Sequence, residues 1–502
     1  MESKHGYPPN RIAEMRSLMA EAERNRQAGK LSKAKSIVLD VLKKHPDYHA
    51  AWHTLGLIEA ANGDVSSELA ALTKAAVYNA SNFETRVALA GTYFKLGAYE
   101  QCRQMLEEAL PRCKDKASAY LSYGTVLQRQ RDYEGAKEAL QKALQHQPGW
   151  KEALLMLGGV LNELDSAEQA CNAYTRVLNA NGADLDALYG LSQINGAEKF
   201  RDLKGYLKQI NASAFTFDER VRYHFCSSDI LRIHGDIEDS WRNLVIANQL
   251  VAKKHAAEIG ANQRWQEDSL RFATSYRPKR PLRSDSDPAT LFILGPSRSG
   301  KTTVERAVAA DHRLFRGYET NVVYQSIEAV LQSANCIIDM QLANFPLNLE
   351  PVLRKEYLNT VNKLVGSRQV ITMTGPSLIH QAARIPEILP NSYFVFVKRS
   401  KPDLAYKIYS KHYSSANYYA YQLPEVYRHI DWYEQMIDRV SALFPENCLT
   451  VSYDEFVRAP NSMAVQLEKL FGFRVELPEQ AVRSDQGVSE SFQKFMAASD
   501  AS

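Results

Sequence analysis

Nine consecutive residues, Gly295-Pro-Ser-Arg-Ser-Gly300-Lys301-Thr302-Thr303, carry the clearest chemistry in the chain. They follow a short apolar run, 290–294, and precede a stretch, 301–311, whose pattern predicts a helix. A strand that turns through glycines into a helix aims backbone N–H groups inward and adds the positive end of the helix dipole. That is the equipment for holding a phosphate-like anion. The backbone of Ser297, Arg298, Ser299, Gly300, Lys301 and Thr302 would form the cradle. Arg298 and Lys301 supply cations, and Thr302 and Thr303 can donate from the first helical turn.

Two chemistries fit the loop. Taken alone, G-x-x-x-x-G-K-T is a complete Walker A pattern, which implies ATP or GTP with magnesium. A nucleotide hydrolase or kinase of that kind also needs an apolar strand ending in Asp to hold the metal. Cys336-Ile-Ile-Asp339 is the best candidate, but it is short and lies in a helical-looking region. The apolar run 393–397 ends in Lys398-Arg399 instead, which favours a ligand with an extra phosphate over a metal. The wider segment, from Gly295 through Val304, Glu305, His312, Phe315 and Glu319, resembles bacterial sulfotransferases that carry tetratricopeptide repeats at their N-terminus. Phe394-Val-Phe-Val-Lys-Arg399-Ser-Lys-Pro-Asp403, Tyr433-Glu434 and Leu449-Thr-Val-Ser-Tyr453-Asp-Glu-Phe-Val457 continue the likeness.

The resemblance implies a 3′-phosphoadenylyl sulfate (PAPS) donor, no metal, and in-line transfer of the sulfuryl group to a hydroxyl or amine. Such a transfer needs a general base and fixed cations. By the same resemblance Glu319 stands at the base position and Arg298 would stabilise the leaving oxygen. Arg399, with Lys407, would grip the 3′-phosphate. His312 follows a helix end and reads as a capping or packing residue, and the tyrosine-rich run 413–421 offers rings to an acceptor cleft or to surface packing. Four positions depart from the family's pattern. Lys301 stands where the family has threonine, Met373-Thr374 replace an Asp-Lys pair, and Lys407 replaces a serine. The segment after Arg483 lacks the closing tryptophan. Lys301 could restore the cation lost at Thr374. The other reading is an interaction protein whose C-terminal domain has lost activity.

The elements that must position these residues alternate in type. Apolar runs at 290–294, 369–373, 393–397 and 448–453, with helical stretches between them, predict an α/β domain built on a parallel sheet and spanning 290–502. Ahead of it lies a different pattern, with a period of 34. Leu55, Leu89, Tyr123, Leu157 and Leu191 keep this step, as do Gly29, Gly63 and Gly97, and Ala75, Ala109 and Ala143. Trp52-x-x-Leu55-Gly56 matches the start of a tetratricopeptide repeat. The fold class is therefore an all-α repeat solenoid followed by an α/β domain with a phosphate loop. The repeats run over 13–272, clear to about 192 and degenerate beyond, behind a tail at 1–12. Residues 217–255 read as a further helical pair, and the proline-rich stretch 273–289 as a linker. Stacked repeats offer a groove for a protein or peptide, whose identity the sequence does not name.

Sixty-one basic residues against 58 acidic ones leave a charge of +3, which gives no reason to propose a nucleic-acid partner. Six scattered cysteines form no CxxC pair, so neither a zinc site nor a disulfide framework is indicated. With no apolar stretch of about 18 residues the sequence predicts no membrane span. The N-terminus lacks the apolar core of a signal peptide, so the cytoplasm is the expected location.

Overall fold

The structure is a computed structural model, and it describes residues 9–80, 82–96, 98–130, 132–181, 184–194, 196, 198, 202–337, 339–413, 417–477 and 489–500. It divides into two compact units, Met1–Ala214 and Phe215–Ser502.

The first unit consists of antiparallel helical pairs, among them His49–Asn62 with Val65–Tyr78 and Lys116–Arg129 with Tyr133–His146. The glycine that follows the periodic residues Leu55, Tyr123 and Leu157 has a visible cause. A Cβ on Gly56 would lie 2.6 Å from Leu72, one on Gly124 2.9 Å from Leu140, and one on Gly158 2.6 Å from Tyr174. The large residue of the second helix thus fills the space that the missing side chain leaves on the first, as close packing requires. Gly29 and Gly63 adopt φ of 72° and 79° at the turns, where other residues are strained. Gly97 lies outside the described residues.

The second unit holds a five-stranded sheet, β1 Ala289–Leu294, β2 Leu314–Arg316, β3 Val370–Met373, β4 Ser392–Lys398 and β5 Cys448–Ser452. The order is β2-β3-β1-β4-β5, with every neighbouring pair parallel. Alternate residues of β1 enter opposite cores. Phe292 and Leu294 join Phe394, Phe396, Tyr433 and Met436 on one face, while Leu291 and Ile293 join Val304, Val308, Val395 and Leu467 on the other. Burial on both faces is why the strands read as unbroken apolar runs. The three residues of β2 gave no such run, and the strand emerges only from its pairing with β3. The helix expected over 301–311 ends at Val308.

Three helices belong to this second unit although they precede the sheet: Phe217–Ile233, Ile237–Lys254 and Ala256–Ser275. The first two form the expected pair, with Gly235 at φ 81° in the turn. Their anchors are polar as well as apolar. Asn248 Nδ2 donates to the Tyr409 carbonyl at 3.1 Å, and Trp432 Nε1 donates to the Gln266 carbonyl at 2.8 Å. The proline-rich stretch that follows is tied to the sheet rather than loose. Leu282 N–H donates to Pro386 O at 2.8 Å, and Asn391 Nδ2 donates to the carbonyls of Ser284 and Asp287.

Candidate functional site

The phosphate-type loop, residues 295–300, lies at the carboxyl end of β1, the central strand, and runs into the Lys301–Val308 helix. Ligands of open parallel sheets gather at this edge. The loop's shape depends on two glycines. A Cβ on Gly295 would lie 2.6 Å from the Val397 carbonyl oxygen of β4. Gly300 has φ 100°, and a Cβ there would fall 2.1 Å from the Tyr453 ring. Arg298 sits in the left-handed region at φ 66°, with its side chain exposed.

Two observations in the loop concern anions directly. Ser299 is fully buried, and among the described residues its hydroxyl has no hydrogen-bond partner. A buried orphan of this kind is costly unless a ligand engages it. Lys301 is 6% exposed, and its Nζ donates to the Pro296 carbonyl at 2.7 Å. Burial pulls its pKa down to about 8, against the raising effect of the Glu319 carboxylate, with Arg298 lowering it further. Lysine 301 is thus a desolvated ammonium inside the loop. Thr302 is exposed and Thr303 half-buried on the first helical turn.

Arg399 follows β4, which pairs with β1, so sheet register brings it to the same edge as the loop. Its Nη1 donates to the Arg298 carbonyl at 3.3 Å, while Nε and Nη2 meet Asp403 Oδ2 at 2.7 and 2.6 Å. The guanidinium also lies 4.7 Å over the Tyr453 ring, the same ring that packs on Gly300. Arg298 and Arg399 therefore share one end of the sheet. Arg399 is ion-paired with a side chain only 1% exposed, which the sequence alone could not decide. Lys407 is half-buried in the last turn of the Lys401–Tyr409 helix.

Glu319 is exposed just beyond β2. The turn that carries it is held from below by Glu305, on the helix that leaves the phosphate loop. This fully buried carboxylate accepts from Tyr318 N–H at 2.9 Å, Thr372 Oγ1 at 2.8 Å and Arg316 Nε at 3.0 Å. Tyr318, at φ 55°, returns a carbonyl to Thr374 N–H at 2.9 Å. Met373 and Thr374 are both buried, Met373 in the core on one face of the sheet and Thr374 through its N–H to Tyr318. The sequence pattern contained Glu305 but gave no hint of this bracket, because its partners lie 11 to 67 residues away.

Other contributors come from the tyrosine-rich run and the last long helix. Tyr413 donates to Ser297 Oγ at 2.9 Å. Tyr433 donates to Pro376 O at 3.0 Å and so ties the last long helix to the loop after β3. Residues 414–416 of the run lie outside the described residues. Beside this cluster are two imidazoles, His380 stacked on Trp265 at 3.4 Å and His429 bonded to Gln266 Nε2 at 2.6 Å. Burial lowers the pKa of each to about 3. His312 is exposed and stands 3.7 Å from Asp311.

Comparison with known proteins agrees with this architecture. Residues 288–476 match the model of the Sulfotransferase family, and residues 19–82 and 121–184 match that of the tetratricopeptide repeat. None of the curated proteins matches the chain. Among solved structures, PilF of Pseudomonas aeruginosa is 15% identical over 46% of this chain and 97% of its own, with a TM-score of 0.36. MamA of Desulfovibrio magneticus is 18% identical over 33% and 93%, with a TM-score of 0.31. YrrB, described as a TPR protein with an unusual peptide-binding site, is 16% identical over 41% and 96%, with a TM-score of 0.32. The chain thus joins tetratricopeptide repeats to a C-terminal sulfotransferase-family domain.

Proposed function

We propose that the second unit transfers the sulfuryl group of PAPS to a hydroxyl or amine acceptor, and that the repeats bind a protein or peptide, the acceptor or a carrier of it. The observation that carries the donor reading is the contact between Arg399 Nη1 and the Arg298 carbonyl. It holds the buried guanidinium that follows β4 against the main chain of the phosphate loop, so the two segments meant to take the 5′-phosphosulfate and the 3′-phosphate lie at the same edge of the sheet. In this reading the N–H groups of 297–302 hold the 5′-phosphosulfate, with Ser299 Oγ, Thr302, Thr303 and Lys301 around it. Arg399, oriented by Asp403, places charge under the 3′-phosphate together with Lys407.

Glu319 takes the proton of the acceptor hydroxyl. The acceptor oxygen forms a bond to sulfur as the bond from sulfur to the 5′-phosphate oxygen breaks. The electron pair leaves with the nucleotide, whose growing charge meets Arg298 and Lys301. Met373 and Thr374 carry no cation to this point, so Lys301, already within the field of Glu319, supplies it. A magnesium-dependent reaction on the same loop finds less support. The strands that flank β1 end in Met373 and Lys398, neither of them able to hold a metal ion as an Asp would. Asp339 engages Gln341 N–H and Asn344 Nδ2.

Thermal shift of the purified full chain tests the reading. Adenosine 3′,5′-bisphosphate should raise the melting temperature and ATP with magnesium should not, since a ligand bound only to the folded state stabilises by RT ln(1 + [L]/Kd). A rise with ATP and magnesium alone would favour the hydrolase or kinase. No rise with either would leave an interaction protein.

A further inference from the structure

The phosphate loop has a polar partner from outside its own segment. Tyr413 donates its phenolic hydrogen to Ser297 Oγ at 2.9 Å. A serine hydroxyl has a single proton and two lone pairs. Because Ser297 accepts from Tyr413, its own O–H is left to donate to something else. Arg298, the next residue, is close enough for its charge to act on the Tyr413 phenol, whose pKa burial raises.

Tyr413 is not a loosely hung side chain. Its N–H donates to Tyr421 Oη at 3.0 Å, and Tyr421 Oη returns a hydrogen to the Tyr413 carbonyl at 3.0 Å. The two rings meet edge to face, 6.5 Å apart. Phe225, of the Phe217–Ile233 helix, stacks on His412 at 5.1 Å and meets Tyr421 at 6.4 Å. Tyr421 thus holds the main chain and one ring edge of Tyr413, and Phe225 backs Tyr421 in turn.

From this arrangement we infer that Tyr413 is a positioning residue of the donor site, which fixes the Ser297 hydroxyl so that its proton points at the 5′-phosphosulfate end of the nucleotide. The inference rests on the donor reading above. A chain Tyr413 O–H to Ser297 Oγ–H to anion strengthens along its length, since each bond polarises the next. Its contact is with the loop assigned to the 5′ end of the nucleotide, and this gives it a distinctive signature.

The test compares two ligands on the full chain by calorimetry: adenosine 3′,5′-bisphosphate, and adenosine 3′-phosphate, which lacks the 5′ group. Tyr413→Phe, which keeps the ring, should weaken the bisphosphate about fivefold to tenfold, the scale of one hydrogen bond, and leave the monophosphate unchanged. Ser297→Ala should do the same, and the double variant should be no weaker than the worse single one. Equal losses for both ligands, or no loss for either, would overturn the inference. Should Tyr413→Phe fail to fold, Tyr421→Phe, which deletes the hydroxyl that holds the Tyr413 main chain, should weaken the bisphosphate alone, and an unchanged bisphosphate affinity there would overturn the inference. A wild-type chain that binds neither ligand removes the donor site itself and the relay with it. A wild type that binds both, with Tyr413→Phe indistinguishable from it, removes the relay alone.

Discussion

Lysine 301 lies within the phosphate loop with its ammonium almost wholly out of water. Replacing it by methionine keeps the length of the side chain and deletes the charge. The fall of its pKa to about 8 from an ordinary 10.5 amounts to about 3 kcal/mol against the charged form, at roughly 1.4 kcal/mol per pH unit. The sign follows from linkage. Between pH 8 and 10.5 the unfolded chain holds a proton that the folded chain has released, so this residue makes stability rise with pH across that window. Below pH 8 its full penalty is present. Lys301→Met should therefore be more stable than the wild type at pH 7 by an amount on the order of 3 kcal/mol, and the advantage should shrink towards pH 10. Binding should show the converse. An anion seated in the loop returns the lysine to its charged form, so nucleotide binding should take up about half a proton at pH 8 and nearly one at pH 9. Titration calorimetry of adenosine 3′,5′-bisphosphate in buffers of different ionisation enthalpy measures that uptake. The melting transition that the nucleotide shifts reports the stability. Absence of proton uptake at pH 8 to 9, or its persistence in Lys301→Met, would refute the argument.

Glu305→Gln replaces an acceptor of three hydrogen bonds by a group that is half donor and leaves Arg316 without its carboxylate. It should cost about 2–3 kcal/mol, seen as a lower melting temperature for the second unit. Gly300→Ala places a carbon 2.1 Å from the Tyr453 ring at a φ of 100°, and should weaken nucleotide binding at least tenfold by calorimetry. Gly29→Ala meets no neighbouring atom, so it should cost only about 1 kcal/mol of backbone strain in the repeats and leave nucleotide binding unchanged. His380 and His429 stay neutral in the fold until about pH 3, whereas the unfolded chain protonates near pH 6.5. Stability should fall steadily as pH drops from 6.5 towards 3, and His380→Phe should flatten part of that slope in an acid denaturation series.

The parts legible in the sequence are those set by local pattern. The period of 34 located the helical pairs because a small residue on one helix must face a large one on the next, as Gly56 faces Leu72, Gly124 Leu140 and Gly158 Tyr174. The apolar runs located four of the five strands because both faces of the sheet are covered. The loop residues were legible for the same reason, since Gly295 and Gly300 answer to close neighbours that admit no side chain. What escaped depends on partners far apart in the chain. The strand Leu314–Arg316 is too short to have a pattern and exists through its pairing with Val370, Ile371 and Thr372. Arg399 could be placed beside the loop, but its pairing with Asp403 needed coordinates. The Glu305 bracket and the Tyr413 contact with Ser297 rest on side-chain geometry across loops, which composition does not encode.

The proline-rich stretch invites use as a cutting point, and the hydrogen bonds of Leu282 and Asn391 argue against it. A chimera that swaps repeat arrays at residue 288 would strip three helices from the enzyme-like half and expose the faces of Trp432 and Tyr409 that they cover. The natural seam for grafting is the junction at Ala214 and Phe215. A fragment begun there takes the Trp265 stack on His380 with it. The family-matched segment by itself is therefore not the modular part that a designer should transplant.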